Sequence, residues 1–351
     1  MITPTFVSTS ALSSETRSSI ARIQARLVDA QKELGTLRHA DVGLTLGATT
    51  GISVSMRQDM TQIQAIKDTN SIVLTRMRGS QAALQSLADK AQSVMTALTG
   101  AQSASLMPET IVQEAKAGLQ TVQDQLNASL DGQYLFSGIN SDVKPMEDYF
   151  ANPPPASAQS VNAAFFAKFG MNPTDPGVNS ISDTDMESFL NNEFADLFSD
   201  ANWSANWSAA SDRPVNSRIS RTETANTSTT ANEMAFRQMT QAFTMVSGLG
   251  FANLNSGAQQ AIVKAATTML GNGISGVTKI QSFLGVTQQR VADSNDQVDT
   301  QLAFLERSIG DLESVDPAEI TTTISNLTTQ LEAAYSITNR LNNLSLMNFL
   351  K

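Results

Sequence analysis

Apolar residues recur near the start of the chain at alternating steps of three and four, as Ile20, Ile23, Leu27, Ala30, Leu34 and Leu37. That step keeps one stripe of side chains on one side of an α-helix, so the stretch is expected to be a heptad seam that packs on another helix. After a glycine-containing break, GLTLGATTG, the step resumes through Ile63, Ile66, Asn70, Val73, Met77, Ser80, Leu84, Leu87, Ala91, Val94 and Leu98. One helix of about 50 residues follows from this run. Asn70 and Ser80 are polar at seam positions, where they weaken packing but set register.

Pro108 suits the first turn of a third helix, with Ala115, Leu119, Val122, Leu126 and Leu130 along one side, ending at DGQYLFSG. The C-terminal half repeats the pattern with Val291, Asn295, Val298, Leu302, Leu305, Ile309 and Leu312, again with one Asn in the seam. Asp316, Pro317 and Glu319 supply an N-cap, a first-turn proline and a capping-box acid, so one helix stops and another begins. That last helix carries Ile320, Ile324, Leu327, Leu331, Ala334 and Leu341. Neither chain end can bury its seam alone, and each buried Leu or Ile contributes about 1.5 to 3 kcal/mol, so the two ends are expected to pair.

The middle differs in kind. Residues 141–230 hold seven of the ten prolines, both tryptophans and seven of the fifteen phenylalanines, with twelve acidic against five basic residues. Turn-rich strings such as NPPPAS and MNPTDPGVN break long helices there, while FFAKFG and MESFLNNEFADLF suit short amphipathic ones. The fold class expected is mainly α: a long discontinuous coiled coil or helical bundle formed by both termini, with an inserted mixed α/β or β-rich central domain. The expected divisions are 1–44 with 316–351, 45–138 with 222–315, and 139–221.

Composition narrows the function. Only 16% of residues are charged, below the roughly 25% of ordinary soluble chains. Polar but uncharged helix faces can be buried against a neighbour without the desolvation cost of unpaired ions, which favours self-assembly. A net charge of -10 with no Lys/Arg cluster argues against nucleic acid. No cysteine is present, which removes disulfides, thiolate metal sites and thiol nucleophiles. The opening MITPTFVSTSALSS lacks the basic and apolar regions of a secretory signal peptide, and no apolar run reaches the roughly 18 residues of a membrane span.

Possible chemistry is sparse. GNGISG, Gly271 to Gly276, fits the dinucleotide spacing, with Asp293 about 20 residues on, but it follows a helical stretch instead of a strand and is read as a helix-to-helix link. His39 is the only histidine, so neither a catalytic triad nor a multi-histidine metal site can be built. Asp183, Asp185 and Glu187 lack the glycine and distant glutamate of a calcium loop and read as a solvated turn. In ANWSANWS, residues 201–208, Trp203 and Trp207 are one helical turn apart and are expected to pack on the core of the insert. Met77 and Met234 fall at or near seam positions as gap fillers. No enzyme activity, cofactor or metal is expected.

Several strings resemble the bacterial flagellin family: DGQYLFSG at 131–138, TANEMAFRQM at 230–239 and the C-terminal NRLNNLSLMNFLK. The likeness covers roughly 1–140 and 222–351. Two departures accompany it: LGTLRHADVGLTLGATTG stands where common flagellins carry a Ser-Gly-x-Arg-Ile stretch followed by Asp-Asp-Ala-Ala, and the chain ends LMNFLK instead of Leu-Leu-Arg. The resemblance implies an axial subunit exported through the flagellar type III channel, placed extracellularly between hook and filament. Its implied partners are other copies of itself, a neighbouring hook-associated protein, flagellin and an export chaperone. Spacing alone marks Leu27, Leu34, Leu327, Leu331 and Leu341 as candidate assembly contacts. A short flagellin is the alternative within the family, and a cytoplasmic coiled-coil adaptor would use the same heptads.

Overall fold

A computed structural model describes residues 9–103 and 107–349 of the chain. Two compact units divide it, Met1–Gln64 with Asp299–Lys351, and Ala65–Val298. The architecture is mainly α, as the periodicity requires, with long helices near both ends of the chain.

In the terminal unit, helix α1 runs Thr9–Thr36. It stops one residue before the last expected seam position: Leu37 adopts φ 55, the left-handed conformation that ends helices and that a leucine tolerates poorly. Leu37 is therefore half-exposed and outside the seam. The glycine-containing stretch is itself largely helical. It holds most of the short helix α2, Val42–Leu46, capped by Asp41, then a 3-10 turn, Gly47–Thr49. Helix α3 follows at Thr50–Ser103 and supplies residues to both units. Helix α10, Ser256–Glu313, also supplies both, and α11, Pro317–Phe349, closes the chain. Asp316 Oδ1 accepts from Ala318 N at 2.8 Å, so the expected cap forms.

The larger unit buries the α3 seam almost as the spacing states: Asn70, Val73, Met77, Ser80, Leu84, Leu87, Ala91, Val94 and Leu98 are all buried. Helix α4, Pro108–Leu126, turns Ile111, Ala115, Leu119, Val122 and Leu126 inward. Leu130 is not on it. The helix gives way to a tight hairpin, β1 Ser129–Leu130 with β2 Gln133–Tyr134. Asp131 and Gly132 both have positive φ, 51 and 77. That is the Asp-Gly two-residue turn, whose twist suits a hairpin.

Helix α9, Met234–Gly248, is buried on nearly every side, from Ala235 to Val246 except Gln238. A central helix of this kind must satisfy its own polar groups. It does so through Thr240 Oγ1 to Phe236 O at 2.8 Å and Thr244 Oγ1 to Thr240 O at 2.7 Å. GNGISG is not a link between helices. It lies inside α10, where an added Cβ at Gly273 would stand 2.6 Å from Met239 Cγ and one at Gly276 would stand 2.7 Å from Ala235 Cβ. The glycines let α10 approach α9 more closely than any side chain would allow.

Between the hairpin and α9, the central segment is mostly helical: α5 Ala156–Phe169, α6 Asp183–Asn191, α7 Glu193–Asp196 and α8 Asp200–Asn206. Both amphipathic readings hold. Strand structure there, among the described residues, is the ribbon β3 Asn216–Arg218 with β4 Thr224–Asn226. Phe165, Phe189, Phe194 and Phe198 meet ring to ring, and the chain of contacts continues through Trp203, Trp207 and Tyr149. This aromatic cluster is continuous with the core of α3, α4, α9 and α10.

Candidate assembly site

In the terminal unit α1 and α11 lie antiparallel, since Gln24 Nε2 donates to Tyr335 Oη at 2.9 Å while Leu37 O accepts from Val315 N at 3.3 Å. Their pairing is what the two unfinished seams predicted. It does not finish them. Among the described side chains of α1 and α11, only Ala30 and Leu327 are buried; Leu27 and Leu331 are half-buried and Leu34 is 38% exposed. Leu341 lies in α11, but its side chain is outside the described residues. All five marked leucines thus lie on one helix pair, and the four whose side chains are described line an apolar stripe left partly open.

The two helix breaks are locked to each other, which periodicity did not reveal. Arg38 and Ser314 form an antiparallel bridge, and His39 N donates to Glu313 O at 3.0 Å. Glu313, 1% exposed, receives Arg57 in a side-on pair, Nε to Oε1 at 3.1 Å and Nη2 to Oε2. Arg38 Nη2 adds a contact at 2.7 Å and Ser53 Oγ donates to the other oxygen. A buried carboxylate persists only when paired and fully hydrogen-bonded. The Arg57 hydrogen bond, opposed by burial and helped by Ser53 and both arginine charges, holds Glu313 below the ordinary carboxylate range. His39 sits 3.7 Å from Glu33, beside this node.

A second polar node docks the central segment in the larger unit. Asn232 Oδ1 accepts from Trp203 Nε1 at 3.0 Å, and its Nδ2 donates to Ala210 O at 3.0 Å and Asp212 Oδ1 at 2.7 Å. Arg237, buried, donates from Nε to Asn232 O at 2.8 Å, pairs with Asp200 and lies over the Trp203 ring. Asn232 and Arg237 belong to the TANEMAFRQM string, so the residues that carried the resemblance are those that seat the insert. Trp203 and Trp207 are buried and stacked, 5.7 Å apart with planes 8° from parallel. Met234 is exposed, unlike Met77.

No group of three metal-ligating side chains and no membrane-length apolar helix occurs among the described residues. Asp183 and Asp185 occupy the first turn of α6, and Asp293 and the glycines near it lie within α10. What the molecule offers is packing surface: one unit with a partly open helix pair from the chain ends, and a larger unit whose helical bundle is closed.

Comparison with known proteins gives this class a family. Residues 7–141 match the bacterial flagellin N-terminal helical region and residues 267–350 match the bacterial flagellin C-terminal helical region. These two regions together make up more than half of the chain, which belongs to the flagellin family and is a structural subunit of the flagellum. A solved structure of a candidate flagellar hook-associated protein from Vibrio parahaemolyticus shares the fold, with a TM-score of 0.52 at 12% identity over 76% of this chain and 97% of that one. A search of curated proteins finds no match.

Proposed function

We propose that the chain is the subunit joining hook to filament. The observation that carries the reading is the break between α1 and α3. Where common flagellins place Ser-Gly-x-Arg-Ile and Asp-Asp-Ala-Ala, this chain has an Arg-His-Asp turn tied to Glu313 and then residues 42–56 without a charge. The fold shared with a candidate hook-associated protein adds support. In this reading residues 1–44 with 316–351 polymerise, 45–138 with 222–315 form the neighbouring bundle, and 139–221 face outward. Leu27, Leu34, Leu327, Leu331 and Leu341 meet further copies. A hook-associated protein and flagellin flank the ring, and an export chaperone holds α11 beforehand.

Electron microscopy of a deletion strain tests the assignment: hooks without filaments, with flagellin released into the medium, are expected. Filament loss without release would instead make the chain a short flagellin, a reading favoured by the two flagellin matches. Leu331→Asp is expected to block incorporation while the thermal transition of the larger unit stays put, and normal incorporation would remove the leucines from the interface.

A further inference from the structure

The heptad seams of α3 and α10 leave a choice that apolar packing cannot make. Slipping one helix past the other by seven residues sets apolar side chains on apolar side chains again. Each seam carries an asparagine, and the structure brings the two together: Asn70 Nδ2 donates to Asn295 Oδ1 at 2.8 Å. Asn70 is wholly buried. Its amide also donates to Ile219 O at 2.8 Å, and Ser294 Oγ donates to that same carbonyl at 2.6 Å. Ile219 lies just beyond β3, on the loop that returns from the central segment, and its side chain is fully buried. Arg290 of α10 pairs with Glu223 farther along that loop.

We infer that Asn70, Asn295 and Ser294, closing on the carbonyl of Ile219, are a register lock that fixes where α3 lies along α10. In any seven-residue slip Asn295 would face Ile63 or Met77 in place of Asn70, leaving the buried Asn70 amide without its partner and the half-buried Asn295 against an apolar side chain. The third element makes the lock selective for a complete chain, because the carbonyl arrives only when the insert has returned to the bundle. Stability is not its purpose: Asn70 Oδ1 meets no donor among the described residues.

The chain has no cysteine, so introduced thiols report cleanly. A Cβ at Gly285 would lie 4.0 Å from Gln81 Nε2, and a Gln81→Cys/Gly285→Cys chain treated with a short bis-maleimide is expected to cross-link within itself. Adding Asn70→Leu and Asn295→Leu together is expected to preserve helical circular dichroism and thermal midpoint but at least halve the intrachain product, because the two thiols no longer share one register. Asn70→Leu alone is expected to melt lower than the pair, since it strands Asn295. Intrachain cross-linking as complete as in the parent, or loss of helicity in the double variant, would overturn the lock.

Discussion

The α1–α11 pair and the α3 seam of the larger unit are written in the same spacing, yet one stays partly open and the other closes. Ala30 and Leu327 are the described side chains buried in the first, whereas in the second every seam position from Asn70 to Leu98 is buried. The difference lies in the number of neighbours. In the larger unit α4, α9 and the aromatic central segment cover what two helices would leave exposed. In the terminal unit the α1 and α11 stripes meet mainly each other, and a two-helix pair cannot enclose its own stripe. Incomplete burial there is a property of the stoichiometry and not of the residues.

This contrast can be broken at graded points. The largest effect is expected for Leu84→Ala, which empties a fully buried seam site and costs about 2 to 5 kcal/mol, read as a lowered denaturation midpoint of the larger unit. Glu313→Gln removes the charge that two arginines share in the terminal unit, an expected loss of about 1.5 to 3 kcal/mol, followed by hydrogen exchange at Leu37–Ala40. Because pairing holds Glu313 below its ordinary value of 4.5, its contribution is complete above that pH and vanishes as pH falls through the lowered native value. Protection of the break in the parent should therefore fall in acid, and Glu313→Gln should flatten the profile. Gly276→Ala forces a Cβ against Ala235 and is expected to cost about 1 to 3 kcal/mol. Leu34→Ala, on the open stripe, should change the stability of the isolated chain by less than about 1 kcal/mol while still weakening assembly; a core-sized loss by calorimetry would mean that the stripe is already closed.

Much of the fold could be read from local spacing. Pro108 and Asp316-Pro317 start helices where their chemistry requires, the α3 seam holds residue by residue, and Trp203 with Trp207 packs inward as one turn. Asp131-Gly132 carried a hairpin signal that was available but was masked by the apolar Leu130 continuing the α4 stripe. Other features had no local signature. Leu37 continues the three-four step and still leaves the helix, because His39 N and Leu37 O are bonded to residues 313 and 315. GNGISG looks like a break and remains helical, because α9 needs the space the glycines leave.

Helical periodicity depends on neighbours three and four residues away, so the residues alone were enough to place the stripes and many of the caps. Which stripe meets which, and whether the meeting is complete, depends on groups more than 200 residues apart, such as Ser53 and Arg57 with Glu313 or Asn70 with Asn295. Those pairings take their energy from burial and desolvation, which exist only once the chain has folded back on itself.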